Sequence, residues 1–218
     1  MRGLSIALVT FPHLASSFSS ISQKVMLPRL IVFDLDDCLW TPEMYTLPQK
    51  PSNEIQGVVN EDTGDRGVVG VQCGSSGPTV KLFSDARRVL QRIHNERDTT
   101  FQHTQFAVAS SSEEPSYSRS CLEKIDILPG VKMKSLFPYQ QIGRTGALTS
   151  RKTTHFDGLK RESNIEFPDM LFFDDCNWGD HVGDLHKTYG VIGVRTPYGL
   201  TWDQFEEGLQ SFAASKKK

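Results

Sequence analysis

Residues 29 to 35, Arg-Leu-Ile-Val-Phe-Asp-Leu, constrain this chain more than any other stretch. The apolar run is short, rich in Ile and Val, and unbroken by alternating polar residues. Such a run suits a central strand buried on both faces of a sheet. It ends abruptly in Asp34, Asp36 and Asp37. A buried strand that finishes in several carboxylates brings them together at one edge, where their repulsion must be relieved by a cation or a shared proton.

The pattern recurs. Residues 105–110 (Gln-Phe-Ala-Val-Ala-Ser) read as a second strand ending in Ser110, and residues 170–174 (Met-Leu-Phe-Phe-Asp) as a third ending in Asp174 and Asp175. Residues 190–194 make a fourth. Between them lie helical stretches: one from Ser84, taken as its N-cap, with Val89, Leu90 and Ile93 on one face, and others over 113–126, 150–163, 179–189 and 201–213, the last capped by Thr201. Strands alternating with helices of this length define an α/β fold, a Rossmann-like doubly wound parallel sheet with helices on both faces. Ligands of such sheets bind at the carboxyl ends of the strands, where Asp34, Asp36, Ser110, Asp174 and Asp175 fall.

Residues 41–80 differ in character. Prolines and glycines dominate, with two β-like pieces at 66–72 and 79–83 joined by a hairpin turn at 74–77. This is expected to be a small β-rich insertion after the first strand, acting as a cap or flap, with Trp40, Met44 and Tyr45 as candidates for its inner lining. Residues 130–149 read as irregular, with β character over 131–136.

The chain has 218 residues, enough for one domain over 27–218 with its own core. Residues 1–26 hold six serines, and no Asp or Glu occurs before Asp34. They are read as a disordered or targeting segment outside the fold, which leaves a cytoplasmic location expected and a plastid or mitochondrial one as the alternative. A net charge of −2 offers no basic field for nucleic acid, and no apolar run approaches membrane-spanning length. Cys38, Cys73, Cys121 and Cys176 match no zinc spacing and are expected as free thiols. A monomer is expected, the Lys216–Lys218 tail is expected to fray, and His155 is expected on a helix surface or at a cap. His181 and His186 are read as ordinary polar residues.

Two separate acidic doublets without His or Cys partners favour a hard, oxygen-seeking ion, most simply Mg²⁺. Ser110 can hold an anion with the N–H groups that follow it, and Lys152 can supply a point charge to a phosphate.

The string Val32-Phe-Asp-Leu-Asp-Asp-Cys-Leu-Trp40 resembles the first motif of the haloacid dehalogenase superfamily, Asp-x-Asp-x-Thr/Val. Ser110 resembles the second motif, Lys152 the third, and Phe172-Phe-Asp-Asp175 the fourth, in the expected order over about residues 28–213. Leu39-Trp40, Lys152-Thr-Thr-His-Phe156 and Phe172-Phe-Asp-Asp-Cys-Asn177 are similar to the magnesium-dependent phosphatase family within it. The resemblance implies that Asp34 is the nucleophile, carrying an aspartyl-phosphate, and that Asp36 is the general acid and base. It implies Mg²⁺ held by Asp34, the Asp36 backbone carbonyl and Asp174. Asp175 and Asn177 would support it, and Leu35, Ser110, Ser111 and Lys152 would hold the substrate phosphate. The substrate would be a phosphotyrosine protein or a small sugar phosphate.

Asp36 is the discriminating residue. Without an acid there, nothing protonates a poor alkoxide leaving group, and neither a dehalogenase nor a P-type ATPase motif carries one. Two alternatives stay open: a serine/threonine phosphatase of the carboxy-terminal-domain type, and a non-catalytic binder of phosphorylated ligands. The sequence departs from the family at Cys38, where Thr or Val is usual, and at Ser111 and Ser112, where an Arg able to grip an anion bidentately is expected.

Overall fold

A computed structural model describes residues 26–217. The expectations for residues 1–25, targeting included, and for Lys218 lie outside the described residues. In chain order the elements are β1 (Leu30–Phe33), β2 (Trp40–Thr41), β3 (Asn53–Asn60), β4 (Asp65–Gln72), β5 (Thr79–Leu82), α1 (Ser84–Asn95), β6 (Gln105–Ser110), α2 (Pro115–Lys124), β7 (Asp126–Leu128), β8 (Val131–Lys132), β9 (Tyr139–Ile142), α3 (Lys152–Ser163), β10 (Met170–Asp174), α4 (His181–Tyr189), β11 (Ile192–Arg195) and α5 (Trp202–Ser215).

Five strands form the main sheet in the order β11-β10-β1-β6-β9, every pairing parallel. The unbroken apolar run of β1 has a direct cause. Ile31 and Phe33 point into the core beneath α1, α2 and α5, while Leu30 and Val32 point into the one beneath α3 and α4. β6 and β10 alternate the same way: Phe106, Val108, Leu171 and Phe173 on one face, Ala107, Ala109, Met170 and Phe172 on the other. Both faces are covered, so no position can be polar until the strand ends. Phe33 stacks on Phe173 with centroids 5.4 Å apart, which fixes β1 against β10.

The insertion is a four-stranded antiparallel sheet in the order β2-β5-β4-β3. Val71, Cys73, Val80 and Leu82 of this region belong to the same cluster as Phe33 and Val89, so it extends the main core. Asp126 ties it down: its carboxylate accepts from Val68 N at 2.8 Å and pairs with Lys132 at 2.8 Å.

Some expectations need correction. Ser84 is the first residue of α1 and gives no side-chain cap; Asp85 instead accepts from Trp202 N at 3.1 Å and docks the start of α5. Lys216 is not frayed, because its ammonium lies 2.6 Å from Asp169. The Thr201 cap holds and is a full capping box with Gln204. All four cysteines are free thiols. Among the described residues no helix is long and apolar enough to cross a membrane.

Candidate active site

The site forms where the strand order reverses on either side of β1, so that β1, β6 and β10 deliver their carboxyl ends to one crevice. Asp34 follows β1, Asp174 ends β10 and Ser110 ends β6; all three are buried. Lys152, the first residue of α3, reaches under them and is only 2% exposed. Its ammonium lies 2.7 Å from Asp34 Oδ1 and 3.1 Å from Asp174 Oδ2, and donates to Ala109 O at 2.7 Å. Burial pulls the lysine pKa down, but Asp174 and Asp34 more than reverse this, so it stays cationic.

Asp34, Asp174 and Asp175 each offer an oxygen within 4.8 Å of the others. Three buried carboxylates face one ammonium, which leaves uncompensated negative charge. Burial, then the neighbouring carboxylates, push Asp34 up against the pull of Lys152, and Asp175 is raised for the same reasons. Asp34 Oδ1 and Asp174 Oδ2 receive no well-directed hydrogen bond among the described residues, only the ionic contact with Lys152. An all-oxygen cluster of hard donors short of positive charge fits Mg²⁺. The oxygens turned away from it are tethered locally: Cys176 N donates to Asp174 Oδ1 at 2.8 Å and Asn177 N to Asp175 Oδ2 at 3.0 Å. The exposed Asn177 therefore contributes its backbone, in a turn that requires a left-handed Cys176 (φ 57°).

Asp36 lies apart from this cluster. The chain turns at Asp37 (φ 51°) and comes back through Trp40. Trp40 Nε1 donates to Asp36 Oδ1 at 2.6 Å, and Met44 N to Asp36 Oδ2 at 3.0 Å. Burial raises its pKa to about 6 despite these bonds. The Leu35 side chain is in the core, so any phosphate contact it makes is through the main chain.

Above these groups lies a cavity of about 320 Å³, lined by Asp34, Asp36, Ser110, Ser111 and Asp175 from the expected set. Trp40 and Met44 do not line it; they are fully buried beneath it. Tyr45 does line it. Sequence reasoning missed Glu43, Ser112, Glu113, Arg144 and Trp178, which complete the wall. Trp178 Nε1 lies 3.1 Å from Glu43 Oε2, and its ring meets Tyr45 edge-on at 5.9 Å. Exposed aromatics carry no periodic signal, and only the folding of the connections after β2 and β10 over one crevice brings these two, distant in sequence, together.

His155 corrects an expectation. It is fully buried, with Nε2 3.1 Å from both Ser110 O and Gly143 O. Burial and the adjacent Lys152 lower its pKa to about 4, so the neutral ring acts as a donor that fixes the ends of β6 and β9.

A doubly wound sheet with its nucleophile candidate after β1, its lysine on α3 and its acidic doublet after β10 defines a phosphatase of the haloacid dehalogenase type. The sequence model of the acid phosphatase family matches residues 26–215, and the chain belongs to that family. It is 26% identical over 170 residues to a HAD-like hydrolase superfamily protein of Schizosaccharomyces pombe, covering 77% of this chain and 87% of that one. It is 26% identical over 191 residues to human magnesium-dependent phosphatase 1, covering 87% and 90%. The solved N-terminal part of BF1531 from Bacteroides fragilis, containing a phosphatase domain complexed with Mg, shares the fold. The TM-score is 0.52 at 13% identity, over 83% of this chain and 39% of that one.

Proposed function

We propose that the chain is a Mg²⁺-dependent phosphomonoester hydrolase working through a phosphorylated Asp34. The observation that carries this is the separation of two carboxylates only two residues apart. Asp34 lies in the charge cluster with Lys152, while Asp36 is held outside it by Trp40 Nε1 and Met44 N. One carboxylate is thereby suited to attack and the other to proton transfer.

In the first step Asp34 attacks phosphorus, the bond to the ester oxygen breaks, and Asp36 gives that oxygen its proton. In the second, Asp36 takes a proton from water as the water oxygen attacks phosphorus, releasing Asp34 and inorganic phosphate. Lys152 and Ser110 steady the charge spread over the phosphoryl oxygens. Asp34, Asp174 and the Asp36 carbonyl, with Asp175 in support, would hold Mg²⁺, whose charge would screen the phosphate dianion from the incoming carboxylate.

Of the two substrate classes, aryl esters such as phosphotyrosine are favoured over sugar phosphates. Tyr45 and Trp178 present exposed rings at the cavity mouth, surfaces on which a flat leaving group can stack. The human relative named for magnesium and the neighbour solved with Mg support the choice of ion.

The test is initial-rate hydrolysis of a phosphotyrosine peptide and of a sugar monophosphate, each with Mg²⁺ and with EDTA. Metal-dependent release favouring the peptide supports the reading. Equal release with EDTA removes the metal, and preference for the sugar removes the aromatic argument.

A further inference from the structure

The cavity wall is strongly acidic: Asp36, Glu43, Glu113 and Asp175 all face it. Arg144, in the loop after β9, is the cation among its described lining residues, Lys152 being buried beneath. Its Nε donates to Ser111 O at 2.7 Å, and its Nη1 pairs with Glu113 at 2.6 Å. The main-chain bond fixes the guanidinium beside the loop that follows Ser110. The pairing with Glu113 is exposed on both sides, at 41% and 62%, so it is weak and exchangeable.

Position decides what this cation can bind. The reacting phosphoryl group must reach Asp34, which is 7% exposed on the cavity floor above Lys152 and beside Ser110. Arg144 lines the same cavity with its side chain 41% exposed, so it faces the part of a bound substrate nearer solvent than the phosphoryl group. We propose that Arg144 is a specificity-determining residue whose guanidinium binds a second oxyanion, a carboxylate or phosphate, on the leaving-group side of the substrate. Glu113 occupies that guanidinium until such a group displaces it. The chain thus supplies from another loop the anion-gripping arginine that Ser111 and Ser112 do not provide. This rests on the phosphomonoesterase reading above.

The experiment compares two probes with the full-length protein and Mg²⁺: p-nitrophenyl phosphate and 4-carboxyphenyl phosphate. The readout is the ratio of their kcat/KM values, carboxylated over nitro. Arg144→Ala is expected to lower the ratio about tenfold, mainly through KM of the carboxylated probe, as for loss of a hydrogen-bonded charge pair. Glu113→Gln is expected to raise it, and the gain is expected to vanish in the double variant. A loop that Arg144 merely braces would lose both probes in proportion in either variant. An unchanged ratio in Arg144→Ala, or a Glu113→Gln gain that survives without Arg144, would overturn the assignment. Hydrolysis of neither probe by the wild type removes the phosphatase reading and this inference with it. Hydrolysis of both, with a ratio indifferent to Arg144, removes the inference alone.

Discussion

The indole of Trp40 donates a 2.6 Å hydrogen bond to the carboxylate of Asp36, four residues earlier in the chain. Trp40 is wholly buried, so the donor cannot turn away, and the bond holds Asp36 outside the cluster formed by Asp34, Asp174 and Asp175. Trp40→Phe keeps most of the packing and removes the donor. It is expected to lower kcat by about tenfold, the scale of one directed hydrogen bond to a charged group. The loss should be larger for alkyl than for p-nitrophenyl esters, because only the poorer leaving group depends fully on the acid. Leaving-group dependence of kcat across a small ester series checks this.

Asp36→Asn removes the acid while keeping the side chain's size. Turnover of alkyl phosphates is expected to fall by about 10²- to 10⁴-fold, the usual worth of a positioned acid–base group. A melting curve matching the wild type would assign the loss to proton transfer.

Lys152 holds Asp34 and Asp174 from beneath. Lys152→Met leaves buried carboxylates facing one another, and breaking such a group by removing one partner costs about 3–5 kcal/mol. Denaturant unfolding without metal should record that loss, with turnover at least hundredfold down. A variant as stable as the wild type would mean that the carboxylates are already neutral.

His155 links stability to pH. Its folded pKa, lowered to about 4, lies below the ordinary value near 6.5. The unfolded chain therefore binds the proton first as pH falls. The stabilisation is complete above pH 6.5 and is lost progressively between 6.5 and 4, by a total on the order of 3 kcal/mol. His155→Gln is expected to be less stable than the wild type at pH 7 and to close much of that gap by pH 4. Urea midpoints at the two pH values measure it.

The main sheet was legible because its strands are covered on both faces, which writes burial into the sequence as unbroken apolar runs ending in acids. β1 and β10 were read that way, β6 from an apolar run ending in Ser110, and the half-buried edge strand β11 from its short Val-Ile-Gly-Val run. β9 was missed because it is an edge strand with two glutamines, and Gln141 satisfies itself by donating to Glu162 at 2.7 Å. β3 was missed because an exposed strand carrying Asn53, Glu54, Gln56 and Gly57 has no alternation to read. Ser110, Asp174 and Lys152 could be found because each ends or begins a regular element, and Asp34 and Asp36 because they follow β1 directly. Glu43, Arg144 and Trp178 lie on loops, and their meeting depends on how three separate connections fold over the crevice. Asp36 was legible as an acid, but its partner Trp40 was read as cavity lining, when its ring is core and only its N–H serves the site.

The central claim is that Asp34 attacks phosphorus in a metal-dependent reaction. The most direct measurement is hydrolysis of p-nitrophenyl phosphate by the wild type and by Asp34→Asn, each with Mg²⁺ and with EDTA, on protein shown to be folded. Release is expected from the wild type with Mg²⁺ alone, and none above background from Asp34→Asn in either condition. Release by Asp34→Asn at the wild-type rate, or by the wild type equally in EDTA, would contradict it.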